Sequence, residues 1–551
     1  MARLPEPRIA KVTVRDGTEI SVALYMPQTS GSGRWPVLFA AAPYRFDNNI
    51  LPASAQFLWR ETGPIDFYLA QGYVYAHMDA RGCGRSGGKF EFLGPNDQTD
   101  LYDVIEWIGA QRWCSGRVGG IGQSYFTMLQ WFMGIVNPPA LACLGAHDGL
   151  NDAYRAGAFH GGIRCDFFPG YWWHQNRIIN AHPANGAMSR IQDVDLDLLL
   201  STHPNYDQFW RERSAWERLE QIRVPVYSSG VWAKMQLHTR GNIEAFRRAS
   251  GPRKLRMSAV PNAWAASAEF ASEEFHREVL LPFYDHYLKG EASSYTARAP
   301  VEYGVRGSGA WRTATQWPPE NVTWRSWHLQ PGPTGSVSSV NDGRLASEPA
   351  REAGTTMYEY PQPGCLNGNV GFGPLGPAGG LDPARRVLTF TTEPLTGDME
   401  ICGPIKLVLY LSSSATDTDV VVKLSDQAPM PNEARRSGIN PPYEIVTRGW
   451  LRAAHRALDP RHSTHMEPYH PHDRDEPMVP GEVYRLEISL EPMAYLFAKG
   501  HRVRLEIANG DSAATEILWG HFYRPDKIGR DIVHHGGEWD SHLILPVTHQ
   551  G

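Results

Sequence analysis

Two textures of hydrophobic and polar positions divide the chain. In the first, Trp35–Ala42 and Tyr73–Asp79 are unbroken apolar runs, and Ile9–Tyr25 reads as two strands around a turn at Asp16 and Gly17. Strands that are apolar at every position are buried on both faces, so these runs, with helix-compatible segments between them, predict a largely parallel sheet covered by helices. Arg117–Trp131 adds an apolar run, a sharp turn at Gly122-Gln-Ser124 and a helix. Strands are also predicted at Ile222–Gly230 and Arg253–Ser258, and an amphipathic helix over Phe283–Lys289 is closed by Gly290. From about Ala299 the texture changes to short alternating strands punctuated by Pro and Gly: Leu388–Thr392, Ile405–Leu411, Val420–Leu424, Tyr484–Leu490 and Arg502–Ile507. That is a β-sandwich pattern. The Gly-, Pro- and Ser-rich stretch Gln330–Gly380 reads as partly a loop excursion.

Parallel sheets of this kind collect reacting groups at the carboxyl ends of their strands. Tyr44, the segment Asp79–Gly84, and Ser124 all fall there. A serine on a strand–turn–helix elbow is lifted out of the sheet, and the first helix amides, beginning with Tyr125, are left free to bind an anion. The pattern usually keeps a small residue two places after the serine, where this chain has Phe126. Tyr44 is either an oxyanion donor complementing the Tyr125 amide or a pocket wall; position alone supports both equally.

Composition narrows the class. The 551 residues are 42% hydrophobic and 20% charged, with a formal charge of -6, which fits a globular chain of two or three domains. No basic stripe points to nucleic acid, and no run of about 18 apolar residues points to a membrane. The N-terminal residues show no apolar leader, so a soluble, cytoplasmic protein is expected. Cys83, Cys114, Cys143, Cys165, Cys365 and Cys402 form no close pair, so neither a zinc site nor a disulfide framework is read. No cofactor or metal is expected, the partner is a small-molecule substrate, and a homodimer is left as an option.

The segments Ala42–Asp47, Asp79–Gly88, Asp103–Trp107 and Gly122–Tyr125 resemble, in order and spacing, the cocaine esterase and X-Pro dipeptidyl-peptidase-like serine hydrolases. Gly449–Arg456, Pro480–Glu482 and Lys499–Arg504 are similar to the jelly-roll domain that ends this family. The resemblance implies an α/β-hydrolase domain over 1–144 and 221–295, a helical cap over 145–220, and a jelly-roll sandwich over 296–551. It assigns Ser124 as nucleophile and Tyr44 with the Tyr125 amide as the oxyanion hole. Cap aromatics such as Trp172 and Trp173, together with Trp232, His238 and Trp264, are expected around the substrate.

The same resemblance exposes a break. Where relatives place the triad acid, beside Trp232, the chain reads Ala233-Lys234-Met235; where they place the histidine, it reads Ser258–Trp264 with no histidine. Loss of triad function costs roughly a million-fold and leaves roughly 10³ to 10⁴ over water. Either another base serves Ser124 or the chemistry differs. His147, at the end of the strand expected beside the serine's strand and next to Asp148, is one candidate base; Lys234 is another. His238 is a further option, although its motif recurs in relatives that keep a triad. The expectation is an enzyme acting on an ester, amide or related carbonyl through Ser124 with an unconventional base. The alternative is a diverged cyclase, lyase or isomerase working by proton transfer, or a silent binding protein.

Overall fold

The computed structural model describes residues 4–27, 33–52, 56, 61–182, 190–360, 387–431, 440–510, 519–521 and 524–549. The apolar runs form strands β1 (Arg8–Thr13), β2 (Glu19–Tyr25), β3 (Trp35–Ala42), β4 (Val74–Asp79), β5 (Cys114–Gln123) and β6 (Leu141–His147). After a short hairpin, β7 (Phe159–His160) and β8 (Ile163–Arg164), come β9 (Val226–Val231), β10 (Arg253–Ser258), β11 (Val301–Gly304) and β12 (Trp311–Ala314). Apart from the hairpin, these build one ten-stranded sheet in the order β1-β2-β4-β3-β5-β6-β9-β10-β11-β12. The run from β4 through β3, β5, β6, β9 and β10 to β11 is parallel, and antiparallel pairs close both edges. Every residue of β4 is buried, as a strand covered on both faces requires.

Helices α1 (Ile65–Ala70), α2 (Pro95–Gly109) and α3 (Tyr125–Val136) follow β3, β4 and β5. The α3 helix is apolar around most of its circumference and is buried from Tyr125 to Ile135; a helix with no polar face belongs inside a protein. Between β6 and β9 the chain makes the hairpin and helices α4 (Phe168–Ala181), α5 (Leu196–Thr202) and α6 (Gln208–Arg213), then returns through β9 to α7 (Thr239–Arg248), β10 and α8 (Ala263–Ala271). The α4 helix is tied to the loops at the strand ends by two residues. Asn180 donates to Pro43 O at 3.0 Å and accepts the Gly84 N–H at 2.7 Å, and Arg45 donates to Ile179 O at 2.9 Å.

The second half is an eleven-stranded all-β sheet that closes on itself where the strands Met399–Ser413 and His542–Thr548 pair. Closure removes most free edges, which is how an antiparallel sandwich avoids edge-to-edge pairing. The first sheet runs past the expected limit at residue 295, because β11 pairs in parallel with β10 and β12 pairs with β11. The chain then crosses directly: Arg306 N–H donates to Ala494 O at 3.0 Å, and Leu496 N–H donates to Arg306 O at 2.9 Å. The expected loop excursion is partly ordered as strands Gly343–Ala346 and Gly354–Tyr360, and its residues from 361 to 380 lie outside the described ones. The helix over Phe283–Lys289 is a short α-helical turn, Leu281–Tyr284, continued by a π-type turn, Asp285–Lys289, and ended by Gly290 at φ 75°.

One expected pocket residue belongs to the core instead. Trp232 is fully buried, its Nε1–H donates to Gly304 O at 2.7 Å, and its ring lies 5.6 Å from that of Trp317. It turns away from the strand ends and joins the cluster that welds the two sheets together, with Met235, Ile243 and Phe246. Trp232→Ala is expected to destabilise the protein by about 3–5 kcal/mol, read as a lowered urea midpoint; an unchanged midpoint would remove Trp232 from the weld.

Candidate active site

Ser124 ends the turn between β5 and α3 at φ 62° and ψ -119°, a conformation that costs a non-glycine residue energy and persists only where its surroundings hold it. Its N–H is shared between His147 O at 3.1 Å and Asp148 O at 2.8 Å, so the end of β6 grips the elbow. Gly122, at φ 127°, absorbs the bulk of Phe126: a Cβ at Gly122 would come within 2.4 Å of Phe126 Cβ. Thr127 Oγ1 sits 2.7 Å from Gly122 O and 2.8 Å from His147 O. The next amide, Tyr125 N–H, is the first of α3 and has no intrahelical acceptor.

Tyr44, just beyond β3, faces the same point. Its hydroxyl accepts the Trp172 Nε1–H at 3.0 Å and also contacts Ser124 and the Glu61 carboxyl, and burial holds the phenol protonated well above its ordinary pKa. Trp172 stacks on Tyr125 with ring centroids 5.5 Å apart. A small cavity of about 60 Å³ opens beside Ser124, with walls that include Phe92, Met128, Leu150, Phe168, Leu200 and Leu237.

His238, at the start of α7, places Nε2 3.1 Å from Ser124 Oγ. Its Nδ1 accepts the Leu150 N–H at 3.1 Å, so Nδ1 carries the lone pair and the neutral ring carries its proton on Nε2. The ring therefore donates to Ser124 and has no free nitrogen to receive the serine's proton. Burial, reinforced by the charge of Lys234, lowers its pKa to about 3. Among the described residues no carboxylate hydrogen-bonds it as in a triad. The expected structural role of His238 is thus extended: it touches the serine as a donor.

The His147 ring, a candidate base, does not face Ser124. Its ring packs on Phe270 at 4.8 Å, its Nδ1 lies 2.7 Å from Ser229 Oγ, and only its carbonyl reaches Ser124. Strand alternation turns the ring to the opposite side of the sheet, where burial lowers its pKa to about 4. Asp148, at φ 47°, does turn back towards His147, with Nε2 and Oδ2 3.6 Å apart. The same carboxylate accepts from Gln123 Nε2 at 2.9 Å and from Val231 N–H at 3.0 Å, and pairs with Lys234 Nζ at 3.1 Å. Lys234 is therefore an ion-pair partner of Asp148, not a solvent-facing charge. Trp173 stacks under Phe90 at 5.6 Å, outside the cavity wall, and Trp264 is 66% exposed on α8; neither lines the cavity beside Ser124.

The residue that sequence reasoning missed is Glu61, in the connection between β3 and α1. Its carbonyl accepts the Gln123 N–H at 2.8 Å, which pins it beside the elbow. Its buried carboxyl group contacts the hydroxyls of Ser124 and Tyr44, while Oε2 has no partner of full hydrogen-bond geometry among the described residues. Burial raises its pKa from 4.5 to about 8; Lys234 and the Ser124 contact lower it, and Asp148 raises it. No local motif marks Glu61, because only the folded sheet brings the two connections together.

An α/β-hydrolase sheet with a serine elbow, a capped apolar cavity and a closed β-sandwich behind it defines a class of hydrolases. Two family models match in chain order: X-Pro dipeptidyl-peptidase (S15 family) over residues 16–261, and the X-Pro dipeptidyl-peptidase C-terminal non-catalytic domain over residues 294–544. The chain belongs to this family of hydrolases. Cocaine esterase of Rhodococcus is 25% identical, with 97% of each chain covered. A CocE/NonD family hydrolase from Staphylococcus aureus shares the fold at a TM-score of 0.81 and 24% identity, covering 98% of this chain and 93% of its own. An α-amino acid ester hydrolase shares it at 0.71 and 20%, covering 98% and 96%. No helix among the described residues is long and apolar enough to cross a membrane.

The raised Glu61 pKa makes a stability prediction. Between 4.5 and about 8 the folded state holds a proton that the unfolded chain has released, so this group's contribution to stability is full below 4.5 and falls as pH rises through about 8. Glu61→Gln lacks that loss. Its Tm relative to the natural protein is expected to rise steadily across this window; a Tm difference independent of pH would show that Glu61 is not buried as described.

Proposed function

We infer that the protein is an esterase-type hydrolase whose nucleophile is Ser124 and whose oxyanion donors are the Tyr44 hydroxyl and the Tyr125 amide. The observation that carries this reading is the strained Ser124 elbow, opening onto an apolar cavity lined by Tyr44 and Tyr125. A carbonyl carbon above Ser124 Oγ would have its oxygen directed at a phenol that burial keeps protonated and an amide with no intrahelical acceptor. Such fixed donors act on charge as it develops, in a site from which water is excluded.

The cavity supports a substrate class. None of the described residues lining it carries a carboxylate, so the ammonium of a free peptide amino terminus would be desolvated there without a partner. A neutral ester with a compact apolar group fits better. A peptide of the X-Pro type fits poorly, although the family model carries that name.

The test is covalent labelling by a fluorophosphonate, read as intact mass. One adduct is expected on the natural protein and none on Ser124→Ala. Tyr44→Phe, which keeps the ring, is expected to slow ester turnover by about 10² to 10³. Turnover that survives Ser124→Ala would move the assignment to proton-transfer chemistry without an acyl-enzyme.

A further inference from the structure

The geometry points to Glu61 as the group that takes the Ser124 proton, with Lys234 as a positioning residue that favours its charged form. The inference rests on Ser124 being the nucleophile. It begins with the direction of one hydrogen. Ser124 Oγ accepts from His238 Nε2–H, so the serine's own hydrogen must point away from that ring. The Tyr44 oxygen, which accepts from Trp172, also contacts Ser124, but a neutral phenol oxygen can only accept a hydrogen bond from the serine and cannot hold its proton. The acceptor against the hydroxyl that can take the proton is the Glu61 carboxyl, buried on the wall of a second cavity that shares Tyr44 with the first. Its unpartnered Oε2 suits a ground state, since catalytic hydrogen bonds often tighten only once substrate is bound.

The groups around Glu61 are consistent with this task. Lys234 acts on it as a cation and Asp148 as an anion, and these two are themselves paired. The neutral Tyr44 touches it directly, and His77 and Arg45 stand on other walls of its cavity. His77 is uncharged at neutral pH, because burial lowers its pKa to about 3. Lys234 stands where relatives were expected to carry the triad acid. Paired with Asp148, it also favours the charged form of Glu61, where beside an imidazole it would oppose protonation.

The proton bookkeeping closes. Ser124 Oγ forms a bond to the ester carbonyl carbon while its proton passes to the Glu61 carboxylate, and the carbonyl π pair moves to the oxygen held by Tyr44 and Tyr125. When the intermediate collapses, the bond to the alkoxy oxygen breaks and that oxygen takes the proton from Glu61. Water then repeats the sequence on the acyl-enzyme, with the regenerated carboxylate as base, and releases the acid. His238 donates to Oγ and stabilises the negative charge that develops on it as it gives up its proton and as it leaves the acyl group.

The experiment measures the rate of fluorophosphonate labelling of Ser124 from about pH 6 to about pH 10, with circular dichroism to establish folding. The natural protein is expected to label with a single ionisation near pH 8, the pKa to which burial raises Glu61. Glu61→Gln is expected to label at least about 10²-fold more slowly and to lose that ionisation. Lys234→Met removes a cation that stabilises the carboxylate and is expected to move the midpoint to higher pH. This second variant keeps the proposal exposed even where Glu61→Gln fails to fold. Labelling of Glu61→Gln at the natural rate, or a midpoint unmoved in Lys234→Met, would overturn the assignment while leaving Ser124 as nucleophile. Absence of labelling in the natural protein at every pH overturns both.

Discussion

The site depends on the grip that the end of β6 keeps on the elbow after β5. Ser124 has an unfavourable backbone conformation, and the carbonyls of His147 and Asp148 that share its N–H are the atoms that hold it there. Thr127 ties the same two turns from the helix side. Because the strands are parallel neighbours in a sheet buried on both faces, neither turn can relax without breaking the register of the other. The strain is therefore held by the sheet as a whole, and the hydroxyl is exposed at the mouth of a cavity instead of being folded back into the turn.

Around that point the charges differ from the usual serine hydrolase arrangement. An Asp–His–Ser relay needs an imidazole with a free nitrogen towards the serine and a carboxylate behind it. Here the imidazole in contact has its proton on the serine side and a backbone amide behind it. The carboxylate that could have stood behind it, Asp148, is held instead by Gln123, Val231 and Lys234. Removing one charge from such a cluster leaves the others buried without compensation. The cluster is therefore best understood as one unit, in which Lys234 balances Asp148 and both set the ionisation of Glu61.

The cap and the sandwich act on this unit at a distance. Asn180 and Arg45 fasten α4 to the strand-end loops, and α4 in turn sets Trp172, whose N–H orients the Tyr44 hydroxyl. Trp232, expected at the substrate, instead packs into the joint between the two sheets and fixes the turn after β9 that carries Lys234. A residue can thus be necessary to the site without facing it.

The local pattern of the chain was sufficient for the elements themselves. Buried parallel strands such as Trp35–Ala42 are continuous apolar runs, and an elbow serine is flanked by a glycine and an apolar helix, so the Ser124 turn and the two-part architecture were legible directly, while a role for Tyr44 came only with the family resemblance. Absence was legible too, since Ala233-Lys234-Met235 and Ser258–Trp264 contain neither triad partner. What could not be read is which side chains meet. Strand alternation turns the ring of His147, one of the candidate bases, across the sheet, helix phase turns Trp173 and Trp264 from the cavity, and Trp232 packs into the core. Glu61 stands more than 60 residues from Ser124, with no motif around it, and the hydrogen bond from Gln123 to its carbonyl forms only when β3, β4 and β5 are assembled side by side. Periodicity records the burial of a strand; the meeting of two loops is decided by the packing of the whole sheet, and so is the chemistry they share.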